Sequence, residues 1–114
     1  MILGFIGTGK IATSVITGVV KSKIKYKKII ISRRSVKNSL KLKKKFNKII
    51  IAKNNQEILD KSNWVFLSVT PIVGSKILKD LKFKPNQTII SFISTIKIKE
   101  LKKIIKVNAN IVRA

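Results

Sequence analysis

The stretch Gly7-Thr8-Gly9-Lys10-Ile11-Ala12 carries residue types and a spacing suited to one task, the holding of a phosphate-bearing ligand. A pair of glycines alone marks only a turn. Here the pair directly follows the apolar run Ile2-Leu3-Gly4-Phe5-Ile6 and directly precedes a helical pattern. A helix N-terminus offers free backbone N–H groups and the positive end of its dipole, both of which attract phosphate. In that setting Gly7 permits a tight turn, Gly9 lets a pyrophosphate approach the backbone, and Ala12 allows close packing of helix on strand. A tight βα turn without a ligand is the plain alternative.

The second informative stretch is Ser32-Arg33-Arg34-Ser35, at the end of the next apolar run. Dinucleotide sites that prefer NAD place a carboxylate there, on the ribose hydroxyls. Two guanidinium groups instead favour a 2′-phosphate, so the residues ask for NADP(H). The alternative is that both arginines are solvated charges in a Lys-rich chain.

Other chemistries are closed off by composition. The 114 residues include no Cys and no His, which removes disulfides, thiolate nucleophiles, the commonest general base and most transition-metal ligands. The net charge of +22 rests on 26 basic residues against the four acids Glu57, Asp60, Asp80 and Glu100. Only three of the basic residues, Arg33, Arg34 and Arg113, are Arg, the lysines are scattered and aromatics are few. Nucleic-acid surfaces lean on Arg and stacking aromatics, so a nucleic-acid partner is not expected, and codon bias toward Lys, Ile and Asn explains the charge at least as well as selection for a polyanion partner does. No apolar run approaches membrane-spanning length, so the expectation is a cytoplasmic protein without a membrane partner.

The elements that must position these residues alternate along the chain. Ile2–Ile6 reads as a buried strand. Ile11, Val15 and Val19 then outline a helix of about three turns. Lys28–Ser32 is a second strand, and Ser35 caps a helix through roughly Phe46 with Val36 and Leu40 facing inward. Ile49–Ala52 is a third strand, and Asn54-Asn55 caps a short helix over Gln56–Lys61. Trp64–Val69 is a fourth strand, followed by a helix marked by Val73, Ile77 and Leu81. Thr88–Phe92 is a fifth, and Ile98, Leu101 and Ile105 mark a last helix before a sixth strand opening at Asn110-Ile111-Val112. Unbroken apolar strands alternating with amphipathic helices predict a single α/β domain, a doubly wound parallel sheet of Rossmann type.

With these residues in place the chain resembles the N-terminal half of the pyrroline-5-carboxylate reductases. The likeness rests on "GFIGTGKIA", "IISRRS", "NNQEILDKSNWVFLSVTP", "TIISFIS" and "NIVRA", in that order. It implies that Ile6, Gly7, Thr8, Gly9, Lys10 and Ile11 wrap the pyrophosphate, and that Ser32 and Arg33, with Arg34, meet the 2′-phosphate. It also implies that Asn55 contacts the cofactor, although capping its helix is an equal reading. Ser68, Val69, Thr70 and Pro71 match the family's loop beside the nicotinamide ribose. Lys10, Thr70 and Ser94-Thr95 depart from the family's usual residues. No catalytic side chain and no metal ligand are assigned.

The resemblance implies NADPH-dependent reduction of a small cyclic imine, with other imine, carbonyl or F420-linked NADP reductases, or a non-catalytic binding module, as alternatives. In the family an all-helical domain follows and supplies the imino-acid pocket and the dimer. The expectation is therefore a cofactor half that is inactive alone, that forms homo-oligomers only through the following domain, and that exposes apolar surface near Ile111 and Val112.

Overall fold

The computed structural model describes residues 1–33 and 36–114. Short β-branched runs form its strands: β1 (Ile2–Ile6), β2 (Lys28–Ile31), β3 (Ile49–Ile51), β4 (Trp64–Leu67), β5 (Thr88–Ser91) and β6 (Asn110–Arg113). Between them lie α1 (Lys10–Lys21), α2 (Val36–Lys45), α3 (Asn55–Lys61), α4 (Pro71–Ile77) and α5 (Ile98–Ile105), with a 3₁₀ turn at Leu78–Asp80 continuing α4.

The strands form one sheet in the order β3-β2-β1-β4-β5-β6, and every described pairing is parallel. Winding runs outward from β1 to β3, returns to β4 and proceeds the other way. Consecutive connections therefore diverge between β1 and β4, and a crevice opens at the carboxyl ends of these strands.

Each face of the sheet carries its own core, because side chains alternate along every strand. Leu3, Phe5, Ile29, Ile31 and Ile49 point to one side, where Ala12, Ile16 and Leu42 of α1 and α2 cover them. Ile6, Ile30, Val65, Leu67 and Ile89 point to the other, beneath Ile58, Leu59, Leu78, Leu101 and Ile105. Phe5 and Phe66 stack across neighbouring strands at 4.4 Å between centroids, and Phe66 and Phe92 at 6.3 Å. Gly4 lets the end of α3 approach β1 closely, since a Cβ there would lie 2.6 Å from Ile58 Cγ2 and 2.2 Å from Ser62 Oγ.

Two expected helix faces are corrected. In α2, Val36 and Leu40 are exposed, while Ser39 and Leu42 turn inward. The buried Ser39 hydroxyl donates to the Ser32 carbonyl at 2.6 Å, which makes a polar side chain the inward contact. In α1 the innermost residues are Ala12 and Ile16; Val15 and Val19 flank them, and Ile11 is exposed. The helix expected through Leu81 ends earlier, with Leu81 following the 3₁₀ turn. Residues 34 and 35, including the expected cap Ser35, lie outside the described residues. At β6, Ile111 packs on the core and Val112 remains about half exposed, the apolar exposure expected there.

Candidate functional site

The β1–α1 turn is held tightly below and leaves the first amides of α1 without an intrahelical acceptor. Gly7 has φ +105°, a region that side chains disfavour. A Cβ there would lie 2.5 Å from the Ser68 carbonyl oxygen, so the turn is also pressed against the start of the β4–α4 loop. Two serines fix it in place. The Gly7 N–H donates to the buried Ser32 Oγ at 3.0 Å, and Ser68 Oγ donates to the carbonyls of Ile6 and Gly7, each at 3.2 Å.

Gly9 is the N-cap of α1 and supplies no side chain to cap it. The first intrahelical bond runs from Thr13 N–H to Gly9 O, so the amides before it find no acceptor within the helix. A Cβ on Gly9 would meet nothing within 4 Å. Beside it, Thr8 is buried and its Oγ1 has no hydrogen-bond partner among the described residues. Open space, free amides and an orphaned buried hydroxyl occur together at one helix N-terminus. That set fits a pyrophosphate, which accepts from all of these donors.

The crevice between β1 and β4 is lined by Gly7, Thr8, Gly9, Asn38, Ser68, Val69, Thr70 and Val73, around a volume of about 480 Å³. The structure thus brings together most of the two loops that the sequence singled out. Thr70 caps α4 through its hydroxyl, which accepts from Val73 N–H at 3.4 Å, and Pro71 occupies the first turn of that helix. Ile6 lies buried within β1 below the turn, and Ile11 projects outward from the first turn of α1.

The remaining candidates fall elsewhere. Ser32 is buried beneath the turn, bonded to Gly7, so its hydroxyl braces the loop. Arg33 is exposed and borders a separate hollow with Val36, Ser39, Leu40 and Ile51. Arg34 lies outside the described residues. Lys10 is exposed and faces the groove between α1 and α2. Asn54, not Asn55, caps α3, its Oδ1 accepting from Glu57 N–H at 2.9 Å, and Asn55 is the first residue of the helix. The cleft residues not anticipated are Asn38 and Val73. A polar side chain in the first turn of α2 was the only signal that Asn38 gave.

Electrostatically the crevice holds hydroxyls, amides and apolar groups, with no carboxylate or other titrating side chain among its described lining residues. Such a lining can hold and orient an anion through its hydroxyl and amide donors. The clearest pKa displacement lies away from it. The Lys53 backbone N–H and the Lys61 ammonium hold the Glu57 carboxyl below its ordinary value.

A parallel sheet that reverses direction beside a glycine turn and an uncapped helix defines a dinucleotide-binding domain of the Rossmann class. Residues 2–95 match the family described as NADP oxidoreductase, coenzyme F420-dependent, and the chain belongs to that family.

Over 114 residues the chain is 29% identical to pyrroline-5-carboxylate reductase 3 of Danio rerio, covering 97% of this chain and 39% of the relative. Among solved structures it resembles 1-pyrroline-5-carboxylate reductase of Streptococcus pyogenes, with 28% identity, a TM-score of 0.74, and coverage of 98% of this chain and 39% of the other. A pyrroline-5-carboxylate reductase from Coxiella burnetii shares the fold with a TM-score of 0.82 at 22% identity, over 97% of this chain and 42% of the other. So does the Plasmodium falciparum pyrroline carboxylate reductase with NADP bound, with a TM-score of 0.70 at 20% identity over 90% and 37%. The chain thus spans about two fifths of the length of these relatives. No helix among the described residues is long and apolar enough to cross a membrane.

Proposed function

We propose that this chain is the NADPH-holding part of a reductase that delivers hydride to the C=N carbon of a small cyclic imine. The observation that carries the reading is the β1–α1 turn, where orphaned donors and open space meet at the crevice. Gly7, Thr8 and Gly9 would receive the pyrophosphate. Ser68, Val69 and Thr70 would border the nicotinamide ribose, Arg33 and Arg34 would face the adenosine end, and Asn55 remains a candidate contact. When bound, the cofactor supplies the hydride from its nicotinamide ring. This chain's residues hold its phosphates and fix its orientation against β4.

The imine is inferred from the pyrroline-5-carboxylate reductases to which the chain is similar. Substrate contacts would come from sequence corresponding to the further three fifths of those relatives, which we also propose as the source of dimerisation. We place the protein in the cytoplasm on the same resemblance. The family description favours one second reading, hydride exchange between NADP and F420.

The test is titration of the purified protein with NADPH and NADH at roughly physiological ionic strength. Saturable binding that persists there supports a built site, because diffuse attraction to lysines fades steeply with salt. Equal, salt-sensitive binding of any polyanion would overturn the reading.

A further inference from the structure

The peptide between Gly7 and Thr8 is held from one side only. Its carbonyl accepts from Ser68 Oγ at 3.2 Å and from nothing else among the described residues. In a trans peptide the C=O and N–H vectors point in opposite directions. The Thr8 N–H is therefore turned away from Ser68, and it finds no acceptor among the described residues.

The preceding peptide is held from both sides. Ile6 O accepts from the Ser68 N–H at 2.9 Å, and the Gly7 N–H donates to Ser32 Oγ at 3.0 Å. Ser68 Oγ also lies 3.2 Å from Ile6 O, but that carbonyl already has its main-chain donor. What the hydroxyl adds is its bond to Gly7 O.

Such a bond matters most after a glycine. With no Cβ, the residue lets the next peptide plane turn over at low steric cost. A stiffer residue has no place here, because Gly7 sits at φ +105° and a Cβ would lie 2.5 Å from the Ser68 carbonyl oxygen. The freedom that makes the turn possible is the same freedom that would let the Thr8 amide swing out of line. A hydroxyl from the residue that follows β4 removes it.

Resting on the NADPH reading above, we propose that Ser68 is a positioning residue, whose hydroxyl locks the Gly7–Thr8 peptide so that the Thr8 N–H is aimed at the pyrophosphate. Thr8 then presents two donors to the phosphate, its amide and its orphaned buried hydroxyl. Ser68 acts here through Thr8, a role separate from its place beside the nicotinamide ribose.

The experiment titrates the wild type, Ser68→Ala, Ser68→Thr and Ser68→Val with NADPH and with inorganic pyrophosphate at roughly physiological salt. The Thr8 backbone amide is followed by proton–nitrogen NMR in the same titrations, and thermal melts check the fold. In Ser68→Ala the Ser68 N–H bond to Ile6 O and the Phe92 N–H bond to Leu67 O remain, so β4 keeps its register. The Thr8 amide proton should move downfield in the wild type as pyrophosphate binds. Ser68→Ala should bind NADPH about three- to thirtyfold more weakly, with a smaller Thr8 shift and a nearly unchanged melt. Threonine and valine are alike in size and differ in the hydroxyl, so Ser68→Thr should recover both readouts and Ser68→Val should not. Wild-type NADPH affinity and an unaltered Thr8 shift in Ser68→Ala would overturn the inference and leave the NADPH reading standing. So would a Ser68→Thr protein that binds no better than Ser68→Val, a comparison that holds even if the alanine variant fails to fold. A wild type that binds neither NADPH nor pyrophosphate would overturn both.

Discussion

Replacing Gly9 with valine should separate ligand binding from folding. The residue adopts φ −77° and ψ −162°, extended backbone open to any amino acid, and a Cβ added there would be clear of other atoms to 4 Å. Valine is a poorer N-cap than glycine, but it also restricts the unfolded chain, so the two effects largely cancel to within about 1 kcal/mol. Binding has no such compensation. The new side chain fills the space through which a pyrophosphate would reach the first-turn amides. Hydrogen bonds to a charged group contribute roughly 1.5–3 kcal/mol each. Losing two weakens NADPH by about 3–6 kcal/mol, or two to four orders of magnitude. Titration by NADPH fluorescence, with thermal denaturation of the same samples, measures both quantities. An unchanged NADPH affinity in a normally folded Gly9→Val protein would refute the assignment of this turn.

Gly7→Ala should behave oppositely and destabilise the fold by more than about 2 kcal/mol in urea denaturation, since φ +105° and the Ser68 carbonyl both oppose a Cβ. Ser32→Ala removes the acceptor of a buried N–H and should cost about 1–3 kcal/mol of stability, with a parallel loss of dinucleotide affinity. The lowered pKa of Glu57 means that the native state binds fewer protons there than the unfolded chain. Its contribution is therefore present above the ordinary value of 4.5 and declines as pH falls through the lowered one. Glu57→Gln should flatten that part of the stability profile, as followed by melting temperature from about pH 6 downward at roughly constant salt.

The alternation of strands and helices was legible because parallel strands buried on both faces read as unbroken apolar runs, as in Ile29-Ile30-Ile31 and Val65-Phe66-Leu67. The glycine turn was legible because its neighbours in sequence are also its neighbours in space. The orientation of α2 was not. Val36 and Leu40 have the spacing of an inward pair, yet the hydrogen bond from Ser39 to Ser32 and the burial of Leu42 turn the helix another way. Periodicity reports apolar residues and is blind to a serine whose burial is offset by a bond to a backbone carbonyl. The groove between α1 and α2 was equally hidden, because Lys10 and Lys41 come to line it only after β2 has been placed beside β1. Asn54 and Asn55 are chemically the same, and only the local dihedrals and the bond to Glu57 N–H distinguish the cap from the first helical residue.

The buried chain from Ser39 through Ser32 to Gly7 links the glycine turn to the flank of α2. The glycine turn and the inner flank of α2 are thus mounted on one frame and do not slide independently. Such a frame works as a caliper: it sets a fixed span between the start of α1 and the flank of α2. A ligand that touched both would be read by its length as well as by its charge.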